Sequence, residues 1–115
     1  MSIAVAKWAM NMNRQIGLEL KTGRQSAGLD AAAVAKGIDY IVSVEWLEEC
    51  ERGEHPITVI LFVRVCRAVG IDPPGTLRRV IDLVGPPPLD DPRLSDVEGE
   101  ARWRAAFQAG SSSVA

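Results

Sequence analysis

The acidic side chains of the stretch SVEWLEECERG, Ser43 to Gly53, are the densest group of chemically active residues in this sequence. In a helix, Glu45, Glu48 and Glu49 would lie on or near one side, because residues three and four apart share a face. An ionised carboxylate only accepts hydrogen bonds, so this face can meet donors on a ligand or cations on a partner. Glutamate is also a good helix former, and a solvated helix face is the simpler alternative.

Catalytic and metal-binding patterns are weak by comparison. The chain has one histidine, His55, and two cysteines, Cys50 and Cys66. We find no CxxC spacing, no Cys/His cluster, no phosphate loop and no pair of carboxylates in an apolar pocket pattern. Both cysteines fall in apolar helical patterns, where free cysteine packs as a small hydrophobe. We therefore expect no enzyme activity, no metal and no cofactor.

The composition predicts one globular domain with short appendages. The 115 residues are 47% hydrophobic, and 13 basic against 15 acidic side chains leave a net charge of −2. Many nucleic-acid binders have a basic balance, so any electropositive surface here must be local. The apolar runs are shorter than a membrane span, and the N-terminus MSIAVAKWAM has no proper cleavage site. We expect a cytoplasmic protein that does not enter a membrane.

Helical periodicity predicts an all-α domain over residues 13–85, a compact bundle of five helices. The first helix begins at Asn13 and stops near Gly28. The second follows an Asp30 cap, and the third follows a Ser43 cap and ends at Gly53. Pro56 begins the fourth, whose β-branched content also permits a strand, although its length and two arginines favour a helix. The fifth is PPGTLRRVIDLVG, with proline at its start and glycine at its end.

The flanking segments are predicted from composition. Residues 1–12 form an N-terminal extension, residues 86–94 a proline-rich linker, residues 95–110 a C-terminal helix and residues 111–115 a disordered tail. Ser95 and Glu98 have the spacing of a capping box, and Trp103 and Phe107 share one face of the helix. A helix this short is marginal alone, so it either folds back over the core or packs against a second subunit.

The order and spacing of several short elements resemble the Cro/repressor-type (XRE-like) helix-turn-helix family of phage and bacterial transcriptional regulators. Helix 1 of that family carries Ile-Gly, a Leu-basic pair and an Arg, and the third helix runs from a Ser to Glu-x-Gly. The matching residues here are Ile16-Gly17, Leu20-Lys21, Arg24, Gly28-Leu29-Asp30, Val34-Ala35, Ser43, Glu51-Arg52-Gly53 and Ala68-Val69-Gly70-Ile71. The resemblance covers residues 13–84. It implies a lambda-repressor-like fold and binding to double-stranded operator DNA.

Two features depart from the family pattern. The family has five residues where this chain has the seven of KGIDYIV, so either the turn over residues 36–42 is enlarged or helix 2 continues. The residue after the helix 2 cap is often a phosphate-gripping glutamine in the family, but it is Ala31 here. Both departures concern the geometry and affinity of the predicted DNA surface.

The resemblance assigns roles to individual positions. Arg24 and Glu51 are implied to form a structural ion pair between helices 1 and 3, because a guanidinium can engage a carboxylate through two hydrogen bonds. The base-edge positions in helix 3 (43–53) are Val44, Glu45 and Glu49. A glutamate can accept a hydrogen bond from cytosine N4, and an apolar side chain can meet a thymine methyl. A helix that contacts bases through glutamates must gain its phosphate affinity from other residues. The candidates are Lys21, Lys36, Arg52, Arg14 and His55.

Trp46 and the C-terminal aromatic residues lead to a second hypothesis. We expect Trp46 to pack over the turn against Tyr40 or Ile41, although it could also contact DNA or a protein. The main prediction is a sequence-specific transcriptional regulator of the repressor type. In a homodimer of this protein, Trp103 and Phe107 are the candidate contacts between the subunits. The alternative is a helix-turn-helix scaffold that binds a protein partner through its acidic third helix and Trp46, as an antirepressor or antitoxin does.

Overall fold

The computed structural model describes residues 2–88, which form five helices and no strand, so the predicted all-α fold is confirmed. The helices are α1 (Ile3–Ser26), α2 (Ala31–Gly37), α3 (Val44–Glu51), α4 (Val59–Val69) and α5 (Pro73–Val84). The predicted C-terminal helix, with Trp103 and Phe107, lies outside the described residues, as do the tail and most of the linker. None of the described helices is long and apolar enough to cross a membrane.

Each helix begins behind a polar side chain that caps it. The capping oxygen accepts a hydrogen bond from the backbone N–H three residues later, which otherwise has no partner within the helix. The Asp30 carboxylate lies 2.7 Å from the Ala33 nitrogen, and the Ser43 hydroxyl lies 3.1 Å from the Trp46 nitrogen. The remaining caps are Ser2, Thr58 and Asp72. These five short side chains determine where the chain enters each helix.

Two helix starts differ from the sequence predictions. Helix α1 begins at Ile3 rather than Asn13, so the segment predicted as an N-terminal extension is helical from residue 3. Ser2 caps this start, and the Trp8 indole donates a hydrogen bond of 3.0 Å to the Gly85 carbonyl at the end of α5. That anchor is 77 positions away in sequence, where local periodicity carries no information. Helix α4 begins at Val59 behind Thr58, three residues after the predicted start at Pro56.

Helix α4 supplies the centre of the core with one of its faces. Its buried positions are Leu61, Phe62, Val65, Cys66 and Val69, which recur at helical spacing. They pack with Leu20 of α1, Val34 of α2 and Leu47 of α3. The strand alternative for this segment is therefore wrong. The opposite face of α4 stays open, with Val59 and Ile60 strongly exposed.

Helices α1 and α3 approach each other closely at Gly17. A Cβ atom at this position would lie 2.4 Å from the carbonyl oxygens of both Cys50 and Glu51. Real Cβ atoms do not come that near to oxygen, so glycine is required for this contact. The close approach brings the last turn of α3 against Gly17, and Arg24, about two turns further along α1, reaches Glu51.

Candidate nucleic-acid interface

The connection between α2 and α3 is an enlarged turn, and α2 does not continue into it. Helix α2 ends at Gly37, and the chain then crosses residues 38–43 before α3 begins. Asp39 and Tyr40 have positive φ angles of 55° and 54°, a conformation that costs L-residues free energy. The Tyr40 N–H donates to the Ala35 carbonyl at 2.8 Å, and Ile38 is buried in the core. The enlarged turn therefore reverses the chain in a defined, hydrogen-bonded conformation.

Helix α3 divides its residues between core and solvent. Leu47, Cys50 and Glu51 are buried, whereas Glu45, Trp46 and Glu48 are exposed. Val44 lies at the margin and packs partly against the core. The exposed face is therefore mainly acidic and aromatic.

Arg24 and Glu51 are brought together across α1 and α3 in a two-pronged ion pair. The Arg24 Nε donates to Glu51 at 2.7 Å, and its NH2 group donates to the other carboxylate oxygen at 3.0 Å. The other terminal nitrogen of the guanidinium, Nη1, donates to the Leu29 carbonyl at 3.1 Å. The hydrogen bond with Glu51 raises the pKa of the Arg24 guanidinium, so the arginine stays charged. The pair fixes α3 on α1 and removes one glutamate from the exposed acidic face.

Glu49, His55 and Trp46 form a cluster that sequence reasoning did not anticipate. His55 Nε2 lies 2.7 Å from a Glu49 carboxylate oxygen, and the imidazole stacks on the Trp46 ring with centroids 3.9 Å apart. The ring planes differ by only 4°. The expectation that Trp46 packs against Tyr40 or Ile41 is thus replaced by stacking on His55, while both of those residues remain exposed. His55 binds within the protein rather than standing free for a phosphate.

Arg52 also has a partner of its own chain. Its guanidinium donates two hydrogen bonds to Glu54, at 3.0 and 3.2 Å. These bonds raise the pKa of Arg52 and lower the pKa of Glu54. Both side chains are about half exposed, so the pair is weak and can open to another anion. As a phosphate contact, Arg52 would first have to leave Glu54.

The other cationic candidates carry no ion pair among residues 2–88. They are Lys21, Lys36 and Arg14, all exposed. Arg14 lies beside the end of α3, because the backbone of Arg14 approaches Gly53 so closely that a Cβ there would come within 2.7 Å of it. Gly53 has a φ of +76°, which also favours glycine.

Lys7 is a further cation that the sequence predictions did not include. Lys7 and Arg14 are seven residues apart on α1, about two helical turns, and therefore share one face. With Met10 and Asn11 they line a surface depression of about 310 Å³. Lys7 was missed because residues 1–12 were predicted to precede the helix. A helix beginning at Ile3 aligns Lys7 with Arg14 and extends positive charge away from the end of α3.

Among the residues that the structure describes, no group of three His, Cys, Asp or Glu side chains could hold a metal ion. The side chains at this surface offer hydrogen bonding, ion pairing and stacking. The acidic α3 face can accept hydrogen bonds from donors, and the cations of α1 and α2 can bind anions.

Comparisons with known proteins agree with this architecture. The family model described as a helix-turn-helix domain matches residues 15–85, more than half of the 115 residues. A comparison with curated proteins found no match, and a comparison with solved structures found none either. The matched range runs from α1 to the residue after α5 and includes the α2–turn–α3 unit. The chain belongs to the helix-turn-helix domain family of DNA-binding modules.

Proposed function

We propose that this protein is a sequence-specific transcriptional regulator, of the repressor type found in phages and bacteria, that places α3 in the DNA major groove. The observation that carries the proposal is the α2–turn–α3 unit within the family match, locked to α1 by the Arg24–Glu51 pair. In helix-turn-helix proteins the second helix of the unit enters the major groove while the first crosses the backbone. The exposed face of α3 is available for that role.

Glu45 is the strongest candidate for base contact. It lies exposed in the first turn of α3, and no ion pair within residues 2–88 engages its carboxylate. Its natural donor in the major groove is cytosine N4. The Glu49 carboxylate is already hydrogen-bonded to His55, so it has less capacity left for a base and is held in one orientation. Val44, half-buried at the start of α3, is the candidate for contact with a thymine methyl.

Phosphate affinity must come from cations outside α3. Residues 43–55 contain five glutamates, Glu45, Glu48, Glu49, Glu51 and Glu54, against one arginine and one histidine. Lys7 and Arg14 on α1, together with Lys21 and Lys36, offset this charge where phosphates would flank α3. Each phosphate contact contributes a salt-dependent term through counterion release. We therefore expect modest affinity with a shallow salt dependence.

A protein-binding function is the second candidate, and a specific observation favours it. Two of the side chains expected to touch phosphates, Arg52 and His55, are already paired with glutamates. Trp46 stacks on His55, is 40% exposed and offers an aromatic anchor of the kind that concentrates binding energy in protein interfaces. In this alternative the acidic face of α3 binds a basic protein surface.

Selection from a pool of random duplexes, at two salt concentrations, separates the two functions. The DNA proposal predicts enrichment of one motif, with retention falling as salt rises. Failure to retain any duplex at the lower salt concentration would favour the protein-binding candidate.

The predicted phosphate contacts are tested on the selected duplex with alanine variants. Lys7→Ala and Arg14→Ala should each weaken binding to all sequences alike and reduce the slope of log K against log salt by about 1. Arg78→Ala, an exposed arginine of α5, is the matched control and should leave the slope unchanged. Equal effects from all three would mean that general charge, and not this face of α1, supplies the affinity.

A further inference from the structure

An open groove runs along the outward face of α4, beside the end of α2. It has a volume of about 670 Å³ and includes Ile38, Val59, Ile60 and Val63. Val59 is 77% exposed and Ile60 is 69% exposed, which is unusual for large aliphatic side chains next to each other. No residue of α3 lines the groove, so it is separate from the proposed base-contacting face.

The groove has an apolar end and a basic end. Ile60, Val63, Arg64 and Arg67 lie on one face of α4 because their spacing of three, four and seven residues matches helical turns. The apolar pair occupies the first half of the helix and the arginines occupy the second half. Among residues 2–88, neither arginine has a carboxylate in ion-pair distance. A matching occupant therefore presents apolar groups at one end and carboxylates at the other.

The chain contains one such segment beyond the described residues. The sequence from Ser95 to Gly110 predicts a helix, on which Asp96, Glu100, Trp103 and Phe107 share one face. The acidic residues come first along this face and the aromatic residues come last. Along α4 the order is reversed, with apolar residues first and basic residues last. The two patterns are complementary only when the helices run antiparallel.

We propose that residues 95–110 of the same chain dock antiparallel in the α4 groove. The register sets Phe107 on Ile60, Trp103 beside Arg64, and Glu100 opposite Arg67. The aromatic rings cover the exposed aliphatic side chains, and the Glu100 carboxylate meets Arg67. The groove is thereby assigned to a segment of its own chain and not to a foreign partner.

The connecting chain is long enough for this docking. Seven residue steps from Pro88 to Ser95 precede the predicted helix, and an extended chain covers about 3.3 Å per residue, or about 23 Å in total. The proposed register sets Ser95 near Asp72 at the start of α5, and the 12 residues of α5 span about 18 Å. The linker can therefore return along α5 to the basic end of the groove.

Chymotrypsin cleavage of the full-length protein after Trp103 and Phe107 tests the docking. Each rate is compared with that of a free peptide of residues 95–110 carrying the same sequence change. The intact chain should be cut at least about tenfold more slowly than the peptide, and Ile60→Asp should remove most of that protection by taking away an apolar contact. Ile60 is exposed in the described domain, so this change should leave the fold intact.

A charge exchange tests the register. Arg67→Glu and Glu100→Arg should each accelerate cleavage by about twofold to fivefold, the range of an exposed ion pair. The combined variant should return to near the original rate, because the pair is restored with its signs exchanged. Arg78→Glu on α5 is the matched control and should have no effect.

Three results would overturn the proposal. Cleavage at the rate of the free peptide would show that the segment does not dock. Protection that persists in both Ile60→Asp and Arg67→Glu would place it elsewhere on the protein. Protection that rises with protein concentration, together with a dimer in sedimentation, would assign the groove to the segment of a second copy.

Discussion

Replacing Glu51 with alanine removes the carboxylate that holds α3 against α1. The Glu51 side chain is 5% exposed and the Arg24 side chain 14% exposed, so water can replace only part of the lost interaction. After the change, the Arg24 guanidinium keeps one hydrogen bond to the Leu29 carbonyl and loses two charge-assisted bonds. The variant therefore leaves a largely buried charge without its counter-charge.

The expected loss is large for a domain of this size. Removing one partner of a buried pair costs about 3–5 kcal/mol, and the residual exposure of Arg24 favours the lower end. A loss of about 3 kcal/mol lowers the melting temperature by roughly 12–24 °C for a domain of 60–100 residues. It is also a substantial part of the free energy of unfolding of a typical domain, which is roughly 5–15 kcal/mol.

Urea unfolding followed by circular dichroism measures this loss in Glu51→Ala, Arg24→Ala and the double variant. The double variant should be more stable than the sum of the single losses predicts, because neither charge is then stranded. Arg52 and Glu54 make a similar two-pronged pair at the surface, and Glu54→Ala should lower the free energy of unfolding far less than Glu51→Ala does, because water replaces the contacts of an exposed pair. A coupling energy below about 0.5 kcal/mol between Arg24 and Glu51 would refute the reasoning.

The remaining predictions concern backbone geometry and buried thiols. Tyr40→Gly should raise the free energy of unfolding by about 0.5–1 kcal/mol, because glycine adopts the positive φ of this position without strain, whereas Tyr40→Ala should give no gain in the same urea assay. Gly17→Ala should lower the free energy of unfolding by about 1–3 kcal/mol, because the added Cβ forces α1 away from α3. Gly37→Ala should change it little, because the added Cβ there would lie 3.8 Å from its nearest neighbour. Burial raises the pKa of the Cys66 thiol to about 11, so at pH 8 it should react with a disulfide reagent only as fast as the protein unfolds; rapid labelling of the folded protein would contradict its burial.

Much of the fold follows from local signals in the sequence. Asp30 and Ser43 are strong caps, and both begin helices as predicted. Arg24 and Glu51 could be paired in advance because the resemblance aligned them on facing helices. The start of α1 could not be predicted in the same way, since it depends on Trp8 reaching Gly85 at the far end of the domain.

The details of the candidate site depend on side-chain conformations that no periodic pattern encodes. The distance between Glu49 and His55 in sequence does not indicate that the α3–α4 loop folds the imidazole back onto Trp46. The same holds for Arg52, which turns to Glu54 two residues later. These contacts decide which charges of α3 remain available, and they shift the emphasis from Glu49 to Glu45 and from Arg52 to Arg14.

Base readout by α3 is tested most directly by a double-mutant cycle that combines a change of Glu45 with changes of single base pairs in the DNA. Dissociation constants are measured for the unchanged protein and for Glu45→Gln, on the selected duplex and on duplexes changed at one base pair each. If α3 lies in the major groove, the unchanged protein should discriminate against the wrong base at one position by about 1–3 kcal/mol, and Glu45→Gln should lose that discrimination at this position alone. A Glu45→Gln effect that is equal on every duplex would contradict the placement of α3 in the groove.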